Sequence, residues 1–473
     1  MKYHRAALTG ILLAALFLLA YQIHLPYLKT LEHGTLELRA RNFLQEGFSP
    51  LRFLPVRNLY GGKPNFYLNH PPLFINFLAL FLTTLGDSEV SARISVILFS
   101  LGSLWLLYLV VARETSRKLA LWTVLIATIL PIFFYYGRIV NYEPSTLFFS
   151  LLATWLFLRT PPGSNRYLRA AFLGAVVLGI LSGWAFYSTP AALLIYALLR
   201  RRKVLLALGA VGAAGAAFLL MLWYYSLAAD KWGGPLTVFG GTGQFFSLAP
   251  GRTILWTTRP FYGVLWRRVV RCFTLPLPFL AGGGLALTLI TLRRAESRKI
   301  LPPALLFLVS GSGLLIVAPK DVLHHDWGLF MLIPAGAFLS ARLILRFKPL
   351  IRAAVIILLA VPAASRFREF HGHLDYSSYR AGKMIRTESR PGDTLLTSRG
   401  QPVAYYSGLS SQFFWPGPPA TRIIRQFQPD WVVFREDQEI YLQTGFETFS
   451  DCLKEEGYRL VDQENYRIWK KAD

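Results

Sequence analysis

The sequence predicts an all-α polytopic membrane protein with a small soluble α/β domain at its C-terminus. Of its 473 residues, 53% are hydrophobic and only 16% are charged, and the mean hydropathy of +0.40 is too high for a soluble globular protein of this size. Long apolar runs alternate with short basic clusters along most of the chain. These runs predict membrane helices, and their loss near residue 366 predicts the start of the soluble domain.

The formal net charge of +24 is concentrated in loops. Lys and Arg form short clusters between apolar runs, which is the pattern of cytoplasmic loops in membrane proteins. We therefore expect membrane lipid as a partner and no nucleic acid. The two cysteines, Cys272 and Cys452, lie in unlike regions and predict neither a disulfide framework nor a metal site.

Near-uncharged runs predict about eleven crossings of the membrane. The first run follows Lys2 and Arg5 and has no small-residue cleavage site after it, so we expect a retained first helix. The run over residues 170–199 has basic groups at both ends and predicts a hairpin of two short helices. The runs begin at about Ala6, Ile94, Leu119, Pro144, Ala170, Val204, Cys272, Ile300, Trp327 and Ala353.

Charge asymmetry predicts the orientation of these crossings. With the N-terminus in the cytoplasm, basic clusters such as residues 200–203 and 293–299 all fall in cytoplasmic loops. Three larger pieces are then extracytoplasmic, namely residues 22–93, residues 230–271 and the C-terminal segment. Long outside loops are largely exempt from the charge rule, so their arginines are compatible with this orientation.

Two further segments complete the predicted architecture. The stretch "HPPLFINFLALFLTTLG" predicts an interfacial helix, because treating it as a crossing would place every later basic cluster outside. In the C-terminal segment, "DTLLTS", "PVAYYSG", "WVVFRE" and "YRIWKK" predict short strands among helical stretches such as "FETFSDCLKEEG". The predicted domains are a transmembrane domain, residues 1–365, and an extracytoplasmic α/β domain, residues 366–473.

Ionisable side chains from separate segments meet on the predicted extracytoplasmic face. Arg138 and Glu143 occupy the short turn between the third and fourth crossings, where they would equally cap helices or pair with one another. Ionisable groups at a membrane boundary are costly unless they are paired, hydrated or functional. The collective placement therefore indicates a site. The other members are Glu32, His33, Glu37, His70, Arg93, Lys320, Asp321, His324, His325 and Asp326.

These residue types suit acid–base chemistry or metal binding beside a phosphate. A carboxylate next to an acceptor hydroxyl or amine can remove its proton as the nucleophile attacks. Arginine and lysine, or a Mg²⁺, Mn²⁺ or Zn²⁺ ion held by carboxylate and imidazole, can neutralise a departing phosphate. The loop over residues 230–271 adds Arg259 and Arg267 near the aromatic stretch "WTTRPFYGVLW". Such a segment fits a phosphate-headed lipid, or equally a membrane-anchoring surface.

The order of motifs resembles that of the GT-C glycosyltransferases that use polyprenyl-phosphate sugars. The resemblance is to the bacterial branch related to protein O-mannosyltransferases and to the lipid A aminoarabinose transferase. In the first third of the chain, Glu32 leads into "LELRARNFLQEGF", and "HPPLF", "GDSEVSARI" and "GRIVNYEP" follow in the family's order. Farther on, "HHDWGLFMLIPAGAFL" resembles the family's histidine-containing segment before a late crossing.

The resemblance implies an inverting transferase of the bacterial inner membrane. An acid would deprotonate the acceptor, which displaces polyprenyl phosphate from the anomeric carbon of a hexosyl or pentosyl group. The family's pattern implies catalytic carboxylates at Glu32, with Glu37 as a rival, and at Glu143. The resemblance implies that Arg138 binds the donor phosphate and that Glu143 and His325 hold a metal. Residue type and predicted position add Arg93, Lys320, Arg259 and Arg267 as donor-phosphate ligands and His70 as a metal ligand.

Two departures from the family's pattern bear on the substrate. His33 follows Glu32 where the family usually has Asp followed by Glu. His70 stands where the aminoarabinose transferases have a lysine, which argues against that particular substrate. The implied partners are a lipid-linked sugar donor and a lipid, glycan or protein acceptor.

Two other functions compete with this interpretation. A transporter or lipid flippase without bond chemistry would have ionisable groups inside its crossings and two related halves, and the sequence shows neither clearly. A third possibility makes the C-terminal segment a binding module on a membrane platform. The sequence itself names neither the sugar nor the acceptor.

Overall fold

The protein is mostly helical, and its helices form one large membrane-type bundle. The computed structural model describes residues 2–26, 35–58, 65–68, 70–161, 165–232, 259–317, 326–372, 376–398, 401–413, 418–435, 450, 453–462 and 466–472. The helices of the N-terminal part are α1 Lys2–Ala20, α2 Thr35–Glu46, α3 Leu73–Leu85, α4 Glu89–Glu114, α5 Arg117–Ile129, α6 Pro131–Tyr136, α7 Tyr142–Arg159, α8 Arg166–Ser182, α9 Ser188–Arg200, α10 Val204–Trp232, α11 Arg259–Phe273, α12 Pro276–Ile290, α13 Ala295–Val317, α14 Ile333–Ile344 and α15 Pro349–Gly372.

Six described helices or helical segments are long and apolar enough to cross a membrane. The number rises to seven if α11 and α12, which are bent by 98°, count as one span. The other predicted runs form shorter helices, among them α5 with 13 residues and α8 with 17 residues. The structure therefore confirms a multi-pass helical protein, whereas the total of about eleven crossings stays a prediction.

The run over residues 170–199 forms two short helices, as the sequence predicts. Helices α8 and α9 are separated by Gly183 and a 3₁₀ turn over Trp184–Tyr187. Gly183 packs so closely on α7 that a Cβ atom there would lie 2.3 Å from Oγ1 of Thr146. A side chain at position 183 would have to displace Thr146, which favours glycine where the chain breaks between the two helices.

Helix α4 begins at Glu89, before the apolar run that starts at Ile94. Ser88 is the N-cap, and its Oγ accepts a hydrogen bond from the amide of Ser91 over 3.1 Å. Glu89 in the first turn interacts favourably with the positive end of the helix dipole. The apolar run marks only the buried part of the helix, because capping residues are polar.

The centre of the bundle is a continuous apolar core. Buried residues of α4, α5, α7, α8, α9 and α14 form its main cluster. In α4, 61% of the apolar window is buried, against 11% in α1 and 11% in α15. The peripheral helices α1 and α15 therefore expose apolar side chains, which suits contact with lipid. The predicted interfacial stretch forms the 13-residue α3, and its placement in the interface stays a prediction.

The described strands form two sheets. A small antiparallel sheet in the first loop joins β1 Val56–Asn58 to β2 Asn65–Phe66. The larger sheet belongs to the C-terminal part, where three helices with described bounds accompany it. The elements of that part are α16 Ser377–Glu388, β3 Thr394–Thr397, α17 Gln401–Ser407, β4 Ser410–Phe413, α18 Pro418–Phe427, β5 Trp431–Arg435, β6 Tyr458–Asp462 and β7 Tyr466–Lys471.

The larger sheet has five strands and is mixed. Its order is β4-β3-β5-β7-β6. Strand β3 is parallel to β4 and β5, and strand β7 is antiparallel to β5 and β6. A parallel pair of strands needs a crossover connection, and helix α17 lies in the connection between β3 and β4.

One predicted strand is wrong. "DTLLTS", "WVVFRE" and "YRIWKK" contain β3, β5 and β7, but "PVAYYSG" belongs to helix α17. Val403, Ala404 and Tyr405 are buried in succession, which departs from the alternation of a half-buried strand. Gly408 has φ +73° and its amide donates to the carbonyl of Ala404, so it ends the helix in a left-handed conformation. Helix α15 continues through the predicted domain boundary to Gly372.

Helix α2 connects the bundle to the C-terminal part. Leu38 packs in one apolar cluster with Ile385, Val403 and Trp431 of the C-terminal part. The guanidinium of Arg41 forms two hydrogen bonds with Asp87, of 2.6 and 3.1 Å, and donates to the carbonyl of Tyr405 over 2.5 Å. The position of α2 therefore depends on both parts of the chain.

Candidate active site

Two ionisable side chains that are nearly fully buried lie in the turn after α6 and in the first turn of α7. Arg138 is 1% exposed and Glu143 is 5% exposed. Asn141 caps α7, because its Oδ1 accepts a hydrogen bond from the amide of Tyr142 over 2.9 Å. Glu143 therefore lies in the first turn of α7, where the helix dipole stabilises a negative charge. Ser100 of α4 donates to the carbonyl of Gly137 over 2.7 Å, which holds the turn against the bundle.

Glu143 lines a small cavity at this end of the bundle. The cavity volume of about 10 Å³ is roughly the space that one water centre needs. Its walls come from the first loop, α7, the 3₁₀ turn after α8, α13 and a second 3₁₀ turn over Asp326–Leu332. The lining residues are His70, Tyr142, Glu143, Thr146, Gly183, Trp184, Ala185, Leu314 and Trp327.

A stack of rings connects this cavity to α2. The His70 ring lies on the Tyr142 ring with centroids 4.5 Å apart, and the Tyr67 ring lies 5.8 Å from His70. The guanidinium of Arg39 sits 3.3 Å from the centroid of Tyr67. Tyr225 of α10 donates to the carbonyl of His70 over 2.8 Å. These contacts hold four segments together around the cavity, namely α2, the first loop, α7 and α10.

Arg93, a predicted phosphate ligand, belongs to a buried network. It forms an ion pair with Glu89 and donates to the carbonyl of Ile23 over 3.2 Å. The hydroxyl of Tyr406 donates to the second oxygen of Glu89 over 2.7 Å. Arg93 thus joins the end of α1, the start of α4 and the C-terminal part. Its binding of a donor phosphate stays a prediction.

Glu37 lies in the first turn of α2 and is 1% exposed. It lies near Tyr405 and Tyr406 of the C-terminal part, and its charge contributes to the raised pKa of both hydroxyls. Burial is the larger cause of both raised pKa values. Glu37 and Glu143 occupy the same end of the bundle, yet Glu37 is absent from the described lining of the cavity.

Several predicted site residues lie outside the described part of the chain. Glu32 falls in residues 27–34, and Lys320 and His325 fall in residues 318–325. Arg259 is the first residue of α11, and Arg267 is exposed on the same helix. The roles of these residues stay predictions.

The basic segment over residues 230–271 also supplies two arginines that reach the second 3₁₀ turn. Arg268 forms an ion pair with Asp326, and Arg271 lies 3.4 Å from the same carboxylate. Asp326 immediately precedes Trp327, which lines the cavity. The two arginines are three residues apart on one helix, so they share one face of it.

The structure describes two of the three predicted metal ligands. Among the described residues, no group of three or more His, Cys, Asp and Glu side chains is arranged to hold a metal ion. Glu143 and His70 line the same cavity, while His325 lies outside the described part. Catalytic zinc sites use three protein ligands, so the two described donors do not make such a site by themselves.

A comparison with protein families supports the resemblance seen in the motifs. Residues 69–225 match the family model described as dolichyl-phosphate-mannose-protein mannosyltransferase. This segment contains His70, Arg93, Arg138 and Glu143. No curated protein matches the sequence.

Solved structures identify the fold. ArnT from Cupriavidus metallidurans bound to undecaprenyl phosphate matches with a TM-score of 0.66 and 14% identity, over 98% of this chain and 97% of that chain. The same protein in the apo state gives a TM-score of 0.64 at 14% identity, over 98% and 96%. The chain has the GT-C fold.

The same fold recurs in a larger archaeal protein. The oligosaccharyltransferase AglB from Archaeoglobus fulgidus, in complex with an inhibitory peptide and a dolichol-phosphate, matches with a TM-score of 0.59 and 12% identity. The match covers 100% of this chain and 74% of that one. At these identities the comparisons establish architecture, and they confirm the GT-C resemblance at that level.

Proposed function

We propose that the protein is an integral membrane glycosyltransferase. It transfers a sugar, hexosyl or pentosyl, from a polyprenyl-phosphate donor to an acceptor, with inversion at the anomeric carbon. The observation that carries this proposal is the buried carboxylate of Glu143, which faces a cavity at one end of a bundle with the GT-C fold. Solved neighbours with that fold hold undecaprenyl phosphate or dolichol-phosphate.

The reaction needs a base for the acceptor and a positive environment for the leaving group. The base removes the proton of the acceptor as the new bond to the anomeric carbon forms and the bond to the phosphate oxygen breaks. We assign the base to Glu32, with Glu37 as its rival, because Glu37 is absent from the described lining of the cavity. The departing polyprenyl phosphate carries away the bonding electron pair.

The cations around the cavity suit the departing phosphate. Arg138 is buried in the turn that ends at Glu143, and Arg268 and Arg271 converge on Asp326 next to Trp327. Charge-assisted hydrogen bonds from guanidinium groups to phosphate are strong and frequently bidentate. Lys320, Arg93, Arg259 and Arg267 are further candidates from the sequence. A divalent ion held by Glu143, His70 and His325 would supply the same charge neutralisation.

The narrow cavity also favours transfer over hydrolysis. Aromatic side chains of Tyr142, Trp184 and Trp327 contribute to its walls, and its space of about 10 Å³ must widen before a glycosyl phosphate enters. A site that excludes bulk water protects a reactive glycosyl donor and strengthens the electrostatic interactions inside it. The donor would enter from the bilayer, since its polyprenyl chain is apolar.

The proposal includes a location. We place the protein in the bacterial inner membrane, with its N-terminus in the cytoplasm and its C-terminal domain outside, because this orientation puts the basic loops in the cytoplasm. The acceptor is then a lipid, a glycan or a protein on the extracytoplasmic side. In a Cys452→Ser background, Glu46→Cys, at an exposed position of α2, should react with an impermeant thiol reagent added to intact spheroplasts.

Transfer from a polyprenyl-phosphate sugar in proteoliposomes tests the proposed chemistry. Glu32→Gln and Glu143→Gln should each lower the rate by about 10²- to 10⁴-fold, which is the usual contribution of a positioned acid or base. Glu46→Gln is the matched control, because it removes an exposed carboxylate from the same end of the bundle. Parent-like rates in both site variants, with folding verified by thermal unfolding, would refute the proposal. Lipid translocation without sugar transfer would instead support a flippase.

A further inference from the structure

A second cavity lies at the end of the bundle away from Glu143. Helix α4 has 26 residues and is therefore about 39 Å long. Its first turns hold the Arg93 network, and its last turn leads to this second cavity, which measures about 250 Å³. The cavity lies between the α4–α5 connection, the start of α13 and the end of α14. The described lining residues are Thr115, Ser116, Leu119, Lys299, Ile300, Arg342, Leu345 and Arg346.

The lining of this cavity is positively charged. Its described residues include Lys299, Arg342 and Arg346 and no aspartate or glutamate. Lys299 and Arg346 are exposed, whereas Arg342 is only 5% exposed. Cations that line one cavity together raise its positive potential, which attracts anions. The cavity therefore favours an anion.

Hydrogen bonds hold the buried cation in position. Arg342 donates to Oγ of Ser297 over 3.4 Å. Ser297 is in turn joined to Oγ1 of Thr291 over 2.6 Å. This chain ties α14 to the connection before α13, so that Arg342 presents a fixed charge to the cavity. An ordered cation loses little side-chain entropy when it binds a ligand.

Helix α5 adds to the same positive field. Ser116 is its N-cap, and the Ser116 Oγ accepts a hydrogen bond from the amide of Leu119 over 3.2 Å. Both residues line the cavity. The N-terminus of this 13-residue helix therefore directs its partial positive charge toward the cavity that Arg342 and Lys299 also line.

Apolar surface adjoins the cavity, which distinguishes a lipid from a soluble anion. Leu119, Ile300 and Leu345 are among its lining residues. Helix α15 begins soon after Arg346 and exposes Leu350 and Ile351, by 83% and 47%. A phosphate group in the cavity would thus have its acyl chains beside an apolar helix surface. Basic pockets between membrane helices commonly bind phospholipid head groups.

We infer that this cavity binds the phosphate head group of an anionic membrane lipid, whose acyl chains lie along α15. This lipid is separate from the glycosyl donor, because the two cavities occupy opposite ends of α4. The bound head group would link α5, α13 and α14, and its loss should loosen the contacts between these helices.

Binding of phosphatidylglycerol to the full chain tests this inference. The purified protein is titrated with phosphatidylglycerol or phosphatidylcholine, and bound lipid is counted by native mass spectrometry. The pocket variant carries Lys299→Gln and Arg346→Gln, which spare the buried Arg342. The matched control carries Arg202→Gln and Arg293→Gln, two exposed cations outside the cavity, so that both variants lose the same charge.

We expect the parent to prefer phosphatidylglycerol, and the pocket variant to bind it about 25-fold more weakly, since each cation near an anionic lipid contributes roughly fivefold in affinity. The control should bind like the parent. An equal loss in both variants, or equal affinity of the parent for the two lipids, would overturn the inference. Inorganic phosphate that competes for the site at the lipid's own concentration would show a soluble anion as the ligand, and would also overturn it.

Discussion

The hydroxyl of Tyr406 is expected to hold the C-terminal part against the bundle. It donates to Glu89 over 2.7 Å, and Glu89 is itself paired with Arg93. The side chains of Glu89 and Arg93 are 12% and 3% exposed, so water replaces a lost bond poorly. Burial, followed by the nearby charge of Glu89, raises the pKa of Tyr406 well above its ordinary value. The hydroxyl therefore stays protonated, and able to donate, over the whole physiological range.

Tyr406→Phe removes this bond and keeps the ring packed against Tyr379 and Tyr405, whose centroids lie 5.1 and 5.4 Å away. A hydrogen bond to a buried charged group contributes about 1.5–3 kcal/mol. The free energy needed to open this contact should fall by that amount. Amide hydrogens that exchange only when the contact opens should then exchange about 10- to 150-fold faster.

Hydrogen–deuterium exchange measured by mass spectrometry provides the assay. Peptides covering α17 should exchange faster in Tyr406→Phe, while peptides covering the central strand β5 should be unchanged. Tyr405→Phe is the matched control. In the described part of the chain, the buried Tyr405 hydroxyl has no hydrogen-bond partner, so its removal should leave exchange at the parent level.

A double-mutant cycle with Glu89→Gln separates this bond from general damage. The two substitutions should be non-additive, since each removes one side of the same interaction. Additive effects, or the same acceleration in Tyr405→Phe as in Tyr406→Phe, would refute the reasoning.

Three further substitutions test the geometry of the bundle. Gly183→Ala would place a Cβ 2.3 Å from Oγ1 of Thr146 and displace the 3₁₀ turn from the cavity. The rate of sugar transfer should therefore fall about 10²-fold. Gly174→Ala is the control, because open space surrounds Gly174, and it should leave the transfer rate unchanged. Arg39→Lys replaces a stacked guanidinium and should cost about 1–2 kcal/mol, read as a lower melting temperature in detergent. Thr189→Val removes a hydroxyl that bridges α7 and α13 and should cost about 0.6 kcal/mol in denaturant unfolding, while Thr189→Ser should retain it.

Hydropathy predicted the helices better than it predicted their ends. The buried part of each crossing is apolar, so runs such as the one at Val204 coincide with the start of α10. Capped helices begin earlier than their apolar runs, because Ser88 and Asn141 satisfy backbone amides with polar side chains. "PVAYYSG" was misread because a short apolar segment has too few residues to separate a period of 2 from one of 3.6.

The sequence pointed to the candidate site where charged residues interrupt apolar runs. Arg138 and Glu143 stood out because charged residues are rare between two apolar runs, and both prove to be buried. The stack of Arg39, Tyr67 and His70 was beyond sequence reasoning, since these residues come from different elements and each is ordinary in its own segment. Tertiary packing alone brings their faces together.

The two sides of α2 explain why the C-terminal part bears on the cavity. Leu38 and Arg41 contact the C-terminal part, while Arg39 stacks on Tyr67 and so reaches His70 at the cavity. A 12-residue helix gains little stability by itself in water, so packing on both sides must fix its rotation. Releasing one side would let α2 turn and move Arg39 away from the ring stack. The contacts of α2 therefore link the C-terminal part to the cavity.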